Sequence, residues 1–191
     1  REDTILVSLM LVNNETGAVT DISAISGELR RAGSAALVHT DAVQAFMKLP
    51  FSPKSLGADM ISVSGHKIHA PKGIGALYVR DGLRLRPYIM GGAQEGGRRA
   101  GTEAMPAIAA FGAACDAARA DMAGNIARMA AFKREIVERL GAAIPEFTWL
   151  DTPAPHILSI SLPGWRSEVL MNFLEAREVY VSKSSACKKG G

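Results

Sequence analysis

Residues 5–12 form a short, almost unbroken apolar run, the pattern of a buried strand. The polar stretch Asn13-Asn14-Glu15-Thr16-Gly17 comes next as a turn. Asp21 then stands as the cap of a helix reaching about residue 32, with Gly33 as its stop. Residues 36–40, 60–64 and 75–80 predict three further strands, and residues 51–57 a connection carrying Pro53. Strand, helix and strand in succession predict an α/β fold, a mostly parallel sheet with helices on its faces. Function in such sheets gathers at the carboxyl ends of strands. Asn14, Asp41 and Lys67 all fall just past predicted strand ends.

The pattern changes in the second half. Residues 90–102 are a Gly-rich loop containing Arg98 and Arg99. Residues 105–140 are Ala-rich and helical, weakly interrupted at Gly112 and Gly124. That length exceeds an ordinary helix and predicts a long, kinked connector with a domain boundary inside it. Pro145 ends it. Residues 157–162 alternate apolar residues with serine, as a half-buried strand does. A helix over 167–176, a short strand over 179–181 and a polar loop over 182–191 complete the reading. The domain organisation expected is 1–104 for a large domain, 105–141 for the connecting helix and 142–191 for the start of a small α+β domain.

Composition narrows the function. The chain has 191 residues, 48% hydrophobic and 21% charged, enough to bury a core. Its net charge of +3 comes from acidic and basic residues mixed along the length, which argues against nucleic-acid partners. No apolar run reaches the ~18 residues of a membrane span. The opening Arg1-Glu2-Asp3 lacks the apolar core of a signal peptide. Cys115 and Cys187 lie far apart, and the four histidines form no ligand spacing, so neither a metal site nor a disulfide framework is expected. Free thiols suit a reducing, cytoplasmic location. Both ends read as cut, and the chain as an internal piece of a larger protein.

The chemistry centres on Ser62-Val63-Ser64-Gly65-His66-Lys67 and the Pro71-Lys72-Gly73 turn after it. A lysine held at a strand end, partly out of water, can lose its proton and attack a carbonyl. Pyridoxal 5'-phosphate (PLP) offers such a carbonyl, and its chemistry also needs a carboxylate beside the pyridine nitrogen and donors for the phosphate. In His39-Thr40-Asp41-Ala42-Val43-Gln44, Asp41 supplies a carboxylate at a strand end; the plainer reading makes it a helix cap for the segment beginning at Ala42. Asn14 reads equally as a turn residue, Gln44 as an exposed side chain and Lys67 as a solvated loop lysine. Cys187 lies among Lys183, Lys188 and Lys189, which favour its thiolate. Cys115, inside the Ala-rich helix, reads as a small core residue.

Taken together and in order, these segments resemble the cysteine desulfurases, within the class V aminotransferases of the fold-type I PLP enzymes. Residues 12–17 resemble that family's VNNE-x-G turn and residues 39–45 its H-x-DA-x-Q segment. Residues 62–78 resemble its S-x-S-x-HK-x-x-GPKG-x-G-x-LY block and residues 91–102 its GGGQE-x-x-x-R-x-GT loop. Ser184-Ser185-Ala186-Cys187 resembles the S-x-SAC loop of the group I type. Departures are Ala70 for Gly in GPKG, Ala93 for the third Gly of GGG, Gly96 for an Arg, and Lys188 and Lys189 after the cysteine.

The resemblance implies PLP as cofactor, bound covalently through Lys67. Asp41 is implied at the pyridine nitrogen, Gln44 at the phenolic oxygen with Asn14 nearby, and Ser64 and His66 at the phosphate. Thr102 is implied to reach the phosphate of a partner subunit, making a homodimer. Cys187 is implied as the nucleophile that takes sulfur from L-cysteine, leaving alanine and a persulfide for iron–sulfur cluster or thio-cofactor assembly through a sulfur-acceptor or scaffold protein. The family's ring-stacking histidine and substrate-binding arginine belong to segments outside these 191 residues, so the piece alone is expected to be inactive. Two alternatives stay open: another class V PLP enzyme, an aminotransferase or selenocysteine lyase, and a non-catalytic interaction piece.

Overall fold

Four strands form the central sheet in the order β1 (Leu6–Met10), β2 (Leu37–Asp41), β3 (Met60–Ser64) and β4 (Gly75–Val79). The computed structural model describes residues 1–183. Strands β1, β2 and β3 run parallel, and β4 pairs antiparallel with β3. That reversal comes from length: residues 65–74 are too few for the crossover a parallel neighbour requires. By its contacts the chain divides into two units, the first comprising Arg1–Val12 and Thr20–Gly124, the second Asn13–Val19 and the chain from Asn125 onward.

In the first unit, α1 (Ile22–Arg31) forms where its ends are specified locally. Asp21 accepts the Ala24 N–H at 2.8 Å, satisfying one of the orphan donors of the first turn. At the other end Gly33, at φ +67°, donates to Arg30 O and Ser34 donates to Leu29 O, closing the helix in a Schellman motif. Residues 51–57, expected to be only a connection, contain the one-turn α2 (Pro53–Leu56). Ser52 caps it, Pro53 occupies its first turn and Gly57 ends it at φ +64°. Val38, Thr40 and Ile61 alternate into the interior, and Ile22 of α1 and Leu56 of α2 are also buried. At the end of β2 opposite Asp41, Asp59 accepts the Val38 N–H at 2.8 Å and the Arg80 Nε–H at 2.6 Å, tying β2 to the chain flanking β3 and β4.

The long connector differs from the expectation. Two helices, α3 (Met105–Ala120) and α4 (Met122–Ala143), meet at Asp121, whose backbone leaves helical geometry at φ −134°, ψ +39°. Gly112 sits unbroken inside α3, because one glycine costs only about 1 kcal/mol relative to Ala in a helix. The Asp121 carboxylate lies where any side chain at Gly124 would go, against the first turn of α4.

The second unit holds most of α4, the antiparallel pair β5 (Thr148–Trp149) and β6 (Ile160–Ser161), and α5 (Ser167–Glu175). Phe147 and Trp149 stack with ring centroids 5.5 Å apart. The strand expected over 157–162 is reduced to β6, and residues 179–181 have no regular structure. Lys133 of α4 donates to Thr152 O at 2.6 Å and Ala154 O at 3.0 Å; burial lowers its pKa, against the opposing charge of Asp151. Thr152 Oγ1 in turn donates to Thr16 O at 3.0 Å, so α4 braces the Asn13–Gly17 turn through one threonine. Among the described residues no helix is long and apolar enough to cross a membrane.

Candidate active site

The carboxyl ends of β2 and β3 lie side by side. Asp41 is the last residue of β2 and stands in register with Ser62 of β3. Parallel pairing puts register partners on one face, so Ser8, His39, Asp41 and Ser62 share a face of the sheet. His39 links its neighbours on that face, with Nδ1 at 2.7 Å from Ser8 Oγ and Nε2 at 2.8 Å from Ser62 Oγ. One imidazole thereby spans three strands directly beneath Asp41.

Asp41 does cap the segment after it, but no helix starts there. Its Oδ1 accepts the Val43 N–H at 2.9 Å, and residues 42–49 form consecutive turns, with Phe46 and Ala45 donating to Ala42 O and Leu49 to Ala45 O. The second carboxylate oxygen, Oδ2, has no hydrogen bond among the described residues. Gln44 lies within this turn segment.

Beyond β3 the chain enters a 3-10 turn, Gly65–Ile68, that carries His66 and Lys67. Gly65 and Ile68 are buried beneath it while His66 and Lys67 are exposed. The turn is closed by Gly65 N donating to Ile74 O and Ala70 N donating to Gly65 O. His69 takes φ +70° to end it. Glycine is required at two points here. A Cβ on Gly65 would meet Ile74, Ala70 and Phe111, the last from α3, and a Cβ on Gly75 would lie 2.5 Å from Val63 O. Lys67 was expected to be partly withdrawn from water; within this unit its side chain is in the open, because the turn presents it away from the core.

Ser64, His66, Lys72, Gly73, Ile74 and Gly75 line an open cavity of about 520 Å³. Ser64 Oγ engages His66 Nδ1 at 2.7 Å, fixing the ring and leaving Nε2 for another partner. A hydroxyl, an imidazole and an ammonium around one hollow make an anion-binding donor set.

The other expected site residues lie elsewhere. Asn14 belongs to the second unit, in the turn that Asn13 Oδ1 organises by accepting the Glu15 and Thr16 N–H groups. Thr102 is exposed at the end of the Gly-rich loop. In that loop Arg99 donates to Gly101 O at 2.9 Å and Gly101 N donates to Gln94 Oε1 at 3.2 Å. Cys187 lies outside the described residues. Cys115, in α3, has its thiol pKa pushed up by burial and by Asp116.

Two residues of this region were not singled out from the sequence. His39 occupies a mid-strand position whose neighbours depend on strand register. Lys48, half-buried, donates from Nζ to the main-chain carbonyl of Lys67 at 2.9 Å. Its pKa is pushed down by burial and by the charge of Lys67. No local signal in the sequence pairs positions 48 and 67.

Comparison with known proteins identifies the family. The family model for class-V aminotransferases matches residues 1–190, and the chain belongs to that family, whose members depend on PLP. Cysteine desulfurase 2 of Trichormus variabilis is 41% identical over 98% of this chain and 47% of its own length. A solved NifS-like protein superposes with a TM-score of 0.88 at 37% identity, over 95% of this chain and half of that one. A solved structure of SspA in complex with cysteine matches with a TM-score of 0.76 at 32% identity, over 97% of this chain and 51% of its own. The chain thus spans about half the length of the relatives it matches.

Proposed function

We propose that the protein containing this chain is a PLP-dependent cysteine desulfurase. The observation that carries the reading is the grouping, at one end of one sheet, of Lys67, Asp41 with an uncommitted oxygen, and the Ser64–His66 pair over an anion-binding hollow. These residues fit PLP. Asp41 Oδ2 suits a protonated pyridine nitrogen, and Ser64, His66 and the cavity of glycines suit a phosphate. When bound, the cofactor draws electrons from the α carbon of an amino-acid substrate. Lys67 holds the cofactor covalently and moves protons, and Gln44 and Asn14 serve the ring oxygen. Similarity to desulfurases and to a protein solved with cysteine supports L-cysteine as the substrate.

In this reading the Cys187 thiolate attacks the sulfur of bound L-cysteine. The sulfur–carbon bond breaks, the sulfur stays on the enzyme as a persulfide, and protonation of the carbon releases L-alanine. The persulfide then passes to an acceptor or scaffold protein for iron–sulfur or thio-cofactor assembly, in the cytoplasm. The exposed Gly-rich loop supports the view that Thr102 serves the phosphate site of a second subunit in a homodimer. The division into 1–104, 105–141 and 142–191 remains part of this proposal. Residues 1–191 alone have no turnover, because the ring-stacking and substrate-carboxylate groups belong to the rest of the protein.

The test is product analysis of the full-length protein with L-cysteine. Alanine should form, and mass spectrometry should find one added sulfur on the peptide containing Cys187. Cys187→Ala should retain cofactor and cysteine binding and lose the persulfide. A keto acid as product would favour an aminotransferase. Full sulfur release by Cys187→Ala would favour a lyase.

A further inference from the structure

The turn that begins on Asp41 ends by gripping the lysine loop. Residues 42–49 fold into successive turns, anchored at the start by Asp41 Oδ1 and at the middle by Phe46, which meets Phe111 of α3 edge-on at 6.2 Å. Met47 then takes φ +58°, in the left-handed region that a non-glycine residue enters only where its surroundings force it. That reversal carries Lys48 back to the neighbouring loop, where Nζ donates to Lys67 O at 2.9 Å. The carbonyl it takes needs a partner. In a short helical turn the last carbonyls have no acceptor role inside the turn, and the N–H groups of His69 and Ala70 both go to Gly65 O. An ammonium at the carbonyl end of a helical turn is also favoured by the dipole of that turn. Burial first, and the charge of Lys67 second, push the Lys48 pKa down.

We propose that Lys48 is a positioning residue. It fixes the Lys67 peptide, and with it the origin of the Lys67 side chain, relative to the Asp41 carboxylate, so that one rigid segment sets the distance between the two cofactor-binding groups. The inference rests on the reading that Lys67 carries PLP. Lys48 itself touches no cofactor. It acts by holding the main chain from which the reactive amine projects, whereas the phosphate donors keep a separate tie, the Ser64 Oγ–His66 Nδ1 bond at 2.7 Å, which does not pass through Lys48.

The experiment uses the full-length protein without cofactor, as wild type, Lys48→Met and Lys48→Arg. Hydrogen exchange read by mass spectrometry should show the 65–70 segment of Lys48→Met exchanging about tenfold faster, with α1 unchanged. Lys48→Arg should restore protection, since it keeps the charge and the donor. Covalent capture of PLP by Lys67, trapped with borohydride over time, should slow by about tenfold in Lys48→Met, the size expected for loss of one charge-assisted hydrogen bond. The affinity for pyridoxine 5'-phosphate, which lacks the reactive aldehyde, should stay at the wild-type value. If Lys48→Met raises exchange everywhere, Lys48→Gln replaces it, and a rise confined to 65–70 supports the proposal. Wild-type exchange and capture rate in the neutral variants would overturn it, as would equal loss of pyridoxine 5'-phosphate affinity. Wild-type capture on a lysine other than Lys67 would instead overturn the functional reading on which the proposal rests.

Discussion

The lysine loop, residues 65–70, and the Gly-rich loop, residues 90–102, use glycine for opposite purposes. In the first, and in the strand that follows it, glycines are spacers: Gly65, and Gly75 at the start of β4, leave no room for a Cβ, because side chains or the backbone of β3 already occupy that space. In the second, two of the glycines serve backbone conformation alone. Gly96 and Gly97 sit at φ +65° and +77° with nothing within 4 Å of a Cβ. The lysine loop is tied to β4, α3 and the Asp41 turn. The Gly-rich loop is held mainly by its own hydrogen bonds, with Tyr88 at its approach 98% exposed. A loop that is clamped can set the geometry of a reacting amine. A loop shaped by its own backbone and left outward is suited to meet another surface.

The largest expected effect lies on the clamped side. Asp41→Asn preserves the cap to Val43 and removes the charge. Turnover of the full-length enzyme should fall by several orders of magnitude, more than about 4 kcal/mol of barrier. A near-normal rate would reduce Asp41 to a turn cap. Next comes stability. Gly75→Ala should cost about 3 kcal/mol in denaturant unfolding, because the β3 backbone must move. Gly97→Ala should cost only about 1 kcal/mol, the strain of a left-handed alanine. Equal costs would erase the distinction between the two loops.

The smallest effect tests the outward role. Thr102→Val should weaken PLP retention by about 1 kcal/mol, one hydrogen bond to the phosphate. In a hybrid dimer of Lys67→Ala with Thr102→Val, the proposed cross-subunit arrangement leaves one fully wild-type site. PLP retention at the Lys67-bearing site should then match wild type. Retention at the Thr102→Val level would place Thr102 in its own subunit's site.

Much of the first unit was legible because its signals are local. The bounds of β3, the Asp21 cap and the Gly33 stop need only neighbouring residues. The one-turn α2 carried its own signature in Ser52, Pro53 and Gly57, but at four residues it gave no periodicity to read. The helix break fell at Asp121, where the backbone leaves helical geometry, instead of at either glycine, since one glycine costs too little to end a helix. The antiparallel direction of β4 was not read, although the short 65–74 connection carries it. The roles of His39 and Lys48 could not be read, because strand register and a tertiary turn create their partners. Cys187 was named from motif and charge, and its position lies outside the described residues.

The central claim is that the strand-end lysine Lys67, held by the Asp41 turn, is the residue that carries the cofactor. Its most direct test is to reduce the PLP-loaded full-length protein with borohydride, digest it and locate the pyridoxyl group by mass spectrometry. The account predicts a single modified lysine, Lys67, and no modification in Lys67→Ala. A pyridoxyl group on Lys72, which lines the same hollow, or on Lys48 would contradict it.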